Sequence, residues 1–170
     1  MRALKIKWQI DKLKNVNYKK RFKLAAYTQR WAVTMTKVSI RRAVARIPYP
    51  RWHFVNFSGP DGGESRGVVD LIAIRKDHGN PRTGTKRGDG FQIVLIQVKG
   101  GYAAAPTAED GKRLRIVARY HHACGVLLAT WKKGRTAKFF SLHRSANHAN
   151  EWREVADLKV IFGRTRQHKG

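Results

Sequence analysis

Two prolines, Pro48 and Pro50, divide this chain into stretches that one type of secondary structure cannot serve. Proline lacks the amide hydrogen and drives the residue before it into extended backbone, so a helix ends at such a pair. Before them, residues 18–47 contain neither Pro nor Gly, and Leu24, Tyr27, Trp31, Met35 and Val38 recur at helical spacing. The pattern predicts one long helix or two shorter ones. After them come short β-branched and aromatic runs at residues 52–57, 67–75 and 91–99, separated by glycine-rich, polar stretches at 58–66 and 76–90. These read as three strands joined by two long loops.

Thr107 with Asp110 three residues on is an N-cap pattern, and it predicts a second helix running to about residue 122. On that helix Leu114, Val117, Ala118 and His121 share one face, and Lys112, Arg115 and Arg119 line the other. Strands at 125–131 and 137–142 follow, joined by the basic turn Lys132, Lys133, Gly134; residues 150–155 then read as a short helix and 158–162 as a last strand. Helix, three strands, helix, two strands is an α/β order with a mixed sheet. The first three strands form a meander, and the fourth is reached by a helical crossover. At 170 residues a single domain is expected, with a basic helical region at 1–50, a core at about 20–142 and a small C-terminal appendage at 143–170.

Charge narrows the partner. Against 36 Lys and Arg stand 11 Asp and Glu, a net charge of +25, which is too lopsided for an ordinary small-molecule enzyme. Such a chain repels itself when compact, and a phosphate backbone relieves that repulsion while releasing counterions, so nucleic acid is the expected partner. Residues 1–50 carry 14 basic side chains and one acid, whereas seven of the eleven acids fall in 61–110. The helical trio Lys112, Arg115 and Arg119 is an expected phosphate-contacting surface, together with the loop residues Arg82, Lys86, Arg87, Lys132, Lys133 and Arg135. The basic residues of the first helix read either as a solvated face or as further phosphate contacts. A lone Cys124 excludes an intrachain disulfide framework and points to a reducing, cytoplasmic setting. No unbroken apolar stretch suggests a signal peptide or a membrane span.

The chemistry concentrates on two strands. If the 67–75 and 91–99 runs pair as a hairpin centred near position 83, position 70 faces about position 96, and Asp70 comes opposite Gln97 within a residue. Gln97 and Lys99, two apart, point to one face. An Asp in so apolar a run needs a partner. One reading is an Asp70–Lys99 ion pair at the end of the sheet. The other is a metal site, in which the Asp70 carboxylate, the Gln97 amide oxygen and the Val98 carbonyl supply the hard oxygens that Mg²⁺ prefers. Lys99 then orients or deprotonates the attacking water and offsets charge on the phosphorane. Glu64, in the glycine-rich approach to Asp70, reads either as a second carboxylate for the metal or as an exposed loop acid. His121, His122 and Cys124 lack the second cysteine that would make a zinc motif. His53 reads as a packed or surface side chain, and neither Ser58 nor Ser65 sits in a nucleophile elbow.

The run from Gly67 through Asp70 to Ile74, followed by Ile96-Gln97-Val98-Lys99-Gly100, resembles the core of the PD-(D/E)XK nuclease superfamily, which includes archaeal-type Holliday junction resolvases and restriction endonucleases. The resemblance spans about residues 20–142. It implies a restriction-endonuclease-like αβββαβ core and a Mg²⁺- or Mn²⁺-dependent endonuclease acting on DNA, in the style of a resolvase or a Mrr-like enzyme, with a homodimer as its plausible form. It assigns Asp70 and Gln97 to the metal and Lys99 to catalysis. Two departures stand out. Gln97 replaces the usual acid, as in the Mrr-type branch. The first helix has no Asp or Glu between residues 18 and 50, where many resolvase-like members place a metal-associated Glu. The competing expectation is a non-catalytic nucleic-acid-binding protein, either a decayed nuclease fold or an RNA- or ribosome-associated protein.

Overall fold

The computed structural model describes residues 2–47, 50–57, 67–79, 84–143 and 152–163, with side chains from residue 23 onward. The chain is an α/β protein built on one six-stranded mixed sheet. Helix α1 (Arg2–Ala43) leads into β1 (His53–Asn56), β2 (Leu71–Lys76) and β3 (Phe91–Gly100), an antiparallel meander. Helix α2 (Ala108–Tyr120) crosses over to β4 (Gly125–Trp131), which lies parallel to β3. Strands β5 (Lys138–Leu142) and β6 (Trp152–Glu154) continue the sheet antiparallel, and the four-residue helix α3 (Lys159–Phe162) closes the described chain. Among the described residues no helix is long and apolar enough to cross a membrane.

Both faces of the sheet are covered, which is why β3 reads as a near-continuous apolar run. On one face, Ala32, Val33 and Ile40 of α1 and Phe162 of α3 pack on Leu71, Ala73, Val94, Ile96, Val98, Leu127 and Ala129. On the other, Leu114 of α2 packs with Val68, Leu95, Val126 and Leu142. The helix start at Thr107 forms as expected: its hydroxyl accepts the Asp110 N–H at 3.1 Å, and the Asp110 carboxylate accepts the Thr107 N–H at 3.0 Å.

The first helix differs from expectation in length and in the face it buries. It is one continuous helix from Arg2. Leu24, Tyr27 and Trp31 of the anticipated apolar stripe are 64%, 60% and 43% exposed, and the sheet instead meets Ala32, Val33, Thr36 and Ile40. Close approach decides this. A Cβ on Gly100 would lie 3.0 Å from the Thr28 carbonyl oxygen and 3.1 Å from the Ala32 Cβ, so the helix sits too near β3 for a large side chain between them. Thr36 satisfies its buried hydroxyl within the helix, donating to the Ala32 carbonyl at 2.8 Å.

The C-terminal elements are interchanged relative to the sequence reading: residues 152–154 form a strand and residues 159–162 a helix. Trp152 pairs across from Leu142 on β5, and the Asp157 carboxylate accepts the Lys159 N–H at 2.9 Å to start the helical turn. Leu158 and Phe162 then fall at i, i+4 on one side, inside the main core. The segment expected as an appendage is thereby seated on the sheet. A buried polar cluster fastens it. Arg75, 2% exposed, donates from Nε to Gln92 Oε1 (2.9 Å) and from Nη1 to the Phe162 carbonyl (3.1 Å), with its guanidinium 4.5 Å from the Trp52 ring centroid. The Trp52 indole donates to the same carbonyl at 2.8 Å.

Candidate active site

The β2–β3 ladder pairs Leu71 with Ile96, so one step further Asp70 stands across from Gln97. Here the ladder ends. The Asp70 N–H donates to the Ile96 carbonyl at 3.0 Å, and the Asp70 Oδ2 accepts the Val98 N–H at 2.7 Å. The carboxylate takes the place of a strand carbonyl and closes the ladder. It is half-buried, and that burial raises its pKa from the ordinary 3.8; the Val98 N–H and the positive charge of Lys99 pull it down by less. Among the described residues no ion pair joins Lys99 to Asp70 directly. The ammonium acts on the carboxylate through space, and it also favours the charged form of Asp110, whose pKa is lowered mainly by the Thr107 N–H that it accepts.

Gln97 is 5% exposed, and its amide oxygen has no hydrogen-bond partner among the described residues. An unpaired buried acceptor of this kind costs about 1–3 kcal/mol, and it calls for an ion, a water or a function to account for it. The Val98 carbonyl, anticipated as a metal ligand, accepts the side-chain N–H of Gln29 at 3.0 Å. Gln29 escaped the sequence reading, which looked on the first helix only for acids. Its signal was a polar side chain one turn before Ala32, on the stretch that meets the sheet. The site therefore holds one carboxylate, two amides and one ammonium.

No family model, curated protein or solved structure matches the chain.

The donor set fits Mg²⁺ or Mn²⁺ in type and is short of charge. Asp70, Gln97 and Val98 contribute hard oxygens. The orphaned Gln97 oxygen is the observation that favours a cation. Among the described residues no three His, Cys, Asp or Glu side chains gather into a metal-binding group. Glu64, the candidate second carboxylate, lies outside the described residues, as does Arg82.

The basic residues named from sequence fall into two groups. Lys99 pairs with Thr130 and Gly100 with Trp131, so the exposed Lys132, Lys133 and Arg135 of the β4–β5 turn stand at the Asp70 end of the sheet. The start of α2 places Lys112 there too. The exposed Lys86 and Arg87 precede β3 and lie at its other end, about 30 Å away at 3.3 Å per residue. Arg119, near the end of α2, is also remote, since that helix runs back along the sheet to the start of β4. Arg115 is not part of an open cationic face. It is half-buried, and its Nε donates to the His143 carbonyl at 3.0 Å, tying α2 to the end of β5. His121 lies exposed at the helix end, edge-on to Tyr120.

Proposed function

We propose that the protein is a divalent-metal-dependent nuclease with a restriction-endonuclease-like core, hydrolysing phosphodiester bonds of DNA at Asp70, Gln97 and Lys99. One observation carries the reading: the buried oxygen of Gln97, unpartnered among the described residues, stands across from a half-buried carboxylate and two residues before a lysine on the same face. The order helix, three strands, helix, strand, with β3 and β4 parallel, supports the same core. The net charge of +25 supports a polyanionic substrate.

Asp70, Gln97 and the Val98 carbonyl are the groups that would hold Mg²⁺ or Mn²⁺. When bound, the ion supplies Lewis-acid polarisation of the scissile phosphate. Asp70 is held in place by the Val98 N–H, which it accepts through one carboxylate oxygen. Lys99 orients the attacking water and offsets the negative charge that builds on the phosphorane. Lys112, Lys132, Lys133 and Arg135 hold the flanking phosphates at that end of the sheet. A homodimer is the form in which a resolvase-like enzyme would act on two strands.

One observation favours the second reading, a nucleic-acid-binding protein without chemistry. The Gln29 amide places a proton donor on the Val98 carbonyl, where a metal ligand would have to be free. Incubation of the full-length protein with duplex, single-stranded and four-way-junction DNA, and with RNA, in Mg²⁺, Mn²⁺ or EDTA separates the two. The nuclease reading expects metal-dependent cuts in at least one DNA substrate. Tight binding with no cut in either metal would leave only the binding function.

A further inference from the structure

A cavity of about 530 Å³ opens on the Lys99 side of the sheet, next to the segment that leads into α2. Leu128, Phe140 and Trp152, one from each of β4, β5 and β6, line its apolar part; the segment between β3 and α2 adds Ala103, Ala105 and Pro106. The small alanines leave the space open. Lys99 and Lys132 supply its positive charge, and the Lys132 ammonium lies 5.1 Å from the ring centroid of Tyr102, a side chain that is 97% exposed. Trp152 holds a buried indole N–H that has no hydrogen-bond partner among the described residues, whereas the Trp131 ring packs into the main core on the other face of the sheet.

We propose that this cavity receives one unpaired nucleobase of a nucleic-acid strand whose adjoining phosphate lies at Lys99. The proposal rests on the nucleic-acid part of the function above and not on its hydrolytic step. Flat apolar surface from Phe140 and Trp152 suits the faces of a base, and every base presents such a face. An indole N–H is a donor only, so what Trp152 lacks is an acceptor, which a carbonyl oxygen of a pyrimidine provides. The cations at Lys99 and Lys132 suit a phosphate at one end of the same ligand. An aliphatic ligand would leave the Trp152 donor and both cations unused. Because Lys99 belongs both to the cavity and to the charge field of Asp70, a base seated here sets its own phosphate beside the candidate active site. A base must leave its stack to enter, which favours single-stranded, gapped or branched DNA over perfect duplex.

The test compares binding of a short oligothymidylate with an abasic strand of equal length and charge, by fluorescence anisotropy in EDTA so that no cleavage intervenes. The parent protein should prefer the strand with bases by about tenfold or more, the scale of base–aromatic stacking. Ala105→Phe, which projects a ring into the cavity, should bring that ratio close to one while leaving abasic affinity within about twofold. Trp152→Leu should do the same, and serves if Ala105→Phe fails to fold by circular dichroism. Equal affinity of the parent for both strands overturns the cavity and leaves the nucleic-acid function standing. A base preference that both folded variants keep also overturns it. No binding of either strand removes the cavity and the nucleic-acid function together.

Discussion

Replacing Asp70 by Asn should stabilise the protein near neutral pH, whereas Asp70→Ala should destabilise it. Burial dominates the environment of this carboxylate and raises its pKa, so ionising it in the folded protein costs free energy that a neutral amide does not. Asn keeps an oxygen for the Val98 N–H, now as a neutral hydrogen bond worth about 1 kcal/mol in place of a charged one worth about 1.5–3. Against that loss stands relief from an ionic desolvation of several kcal/mol, reduced here because the group is only half-buried. The net gain is about 1 kcal/mol, or roughly 2–4 °C in Tm for a chain of this size. Asp70→Ala instead leaves the Val98 N–H without its acceptor, at a residue 2% exposed. That costs about 1–3 kcal/mol, roughly 2–12 °C. The pH dependence carries a sign. A carboxyl whose folded pKa is raised contributes stability below its unfolded value of 3.8 and loses it as pH rises through the folded value. The advantage of Asn is therefore complete near neutral pH and fades as pH falls to about 4. Thermal melts by circular dichroism in EDTA read this directly. An Asn variant that melts below the parent near neutral pH, or whose advantage does not shrink on acidification, would refute the account of this carboxylate.

Gln97→Glu adds a second negative charge beside Asp70 at a position 5% exposed, so its Tm should fall in EDTA, recover in Mg²⁺ by more than the parent gains, and cleavage should need less metal. Reversal of Lys132, Lys133 and Arg135 to Glu should lower the log–log salt slope of DNA binding by about 0.9 per lost phosphate contact, measured by anisotropy against salt. Reversal of Lys86 and Arg87, at the other end of β3, should change that slope less, and Arg115→Ala should lower Tm without changing it. Arg75→Met leaves the buried Gln92 oxygen without a guanidinium donor and should cost about 2 kcal/mol in urea unfolding, with binding unchanged.

The Asp70–Gln97 juxtaposition was legible because strand alternation and hairpin symmetry both act at short range. Two strands meeting at one loop fix which residues face each other, so Asp70 and Gln97 could be matched to within a residue despite the long connection between them. The α2 start was legible for a similar reason, since the Thr107–Asp110 exchange is complete within four residues. Features decided by long-range packing were not. Trp31 is a stronger apolar signal than Ala32, yet the close approach to Gly100 selects the small side chain. The partner of the Val98 carbonyl sits 69 residues away in Gln29, and nothing near either residue announces the other. Leu158 and Phe162 fit one helical turn or a short strand equally well; the contact of Phe162 with Trp52 and Arg75 decides between them. A buried arginine on a strand carries no local sign that a distant carbonyl will receive it.

The central claim is that Asp70, Gln97 and Lys99 form a hydrolytic site, and single-turnover cleavage by the parent and by Lys99→Ala tests it most directly. With excess protein and end-labelled branched DNA, the parent should cut in Mg²⁺ and not in EDTA. Lys99→Ala should still bind through Lys132, Lys133 and Arg135 but leave the strand intact. A Lys99→Ala protein that cuts at the parental rate, or a parent that binds in Mg²⁺ and cuts nothing, would contradict it.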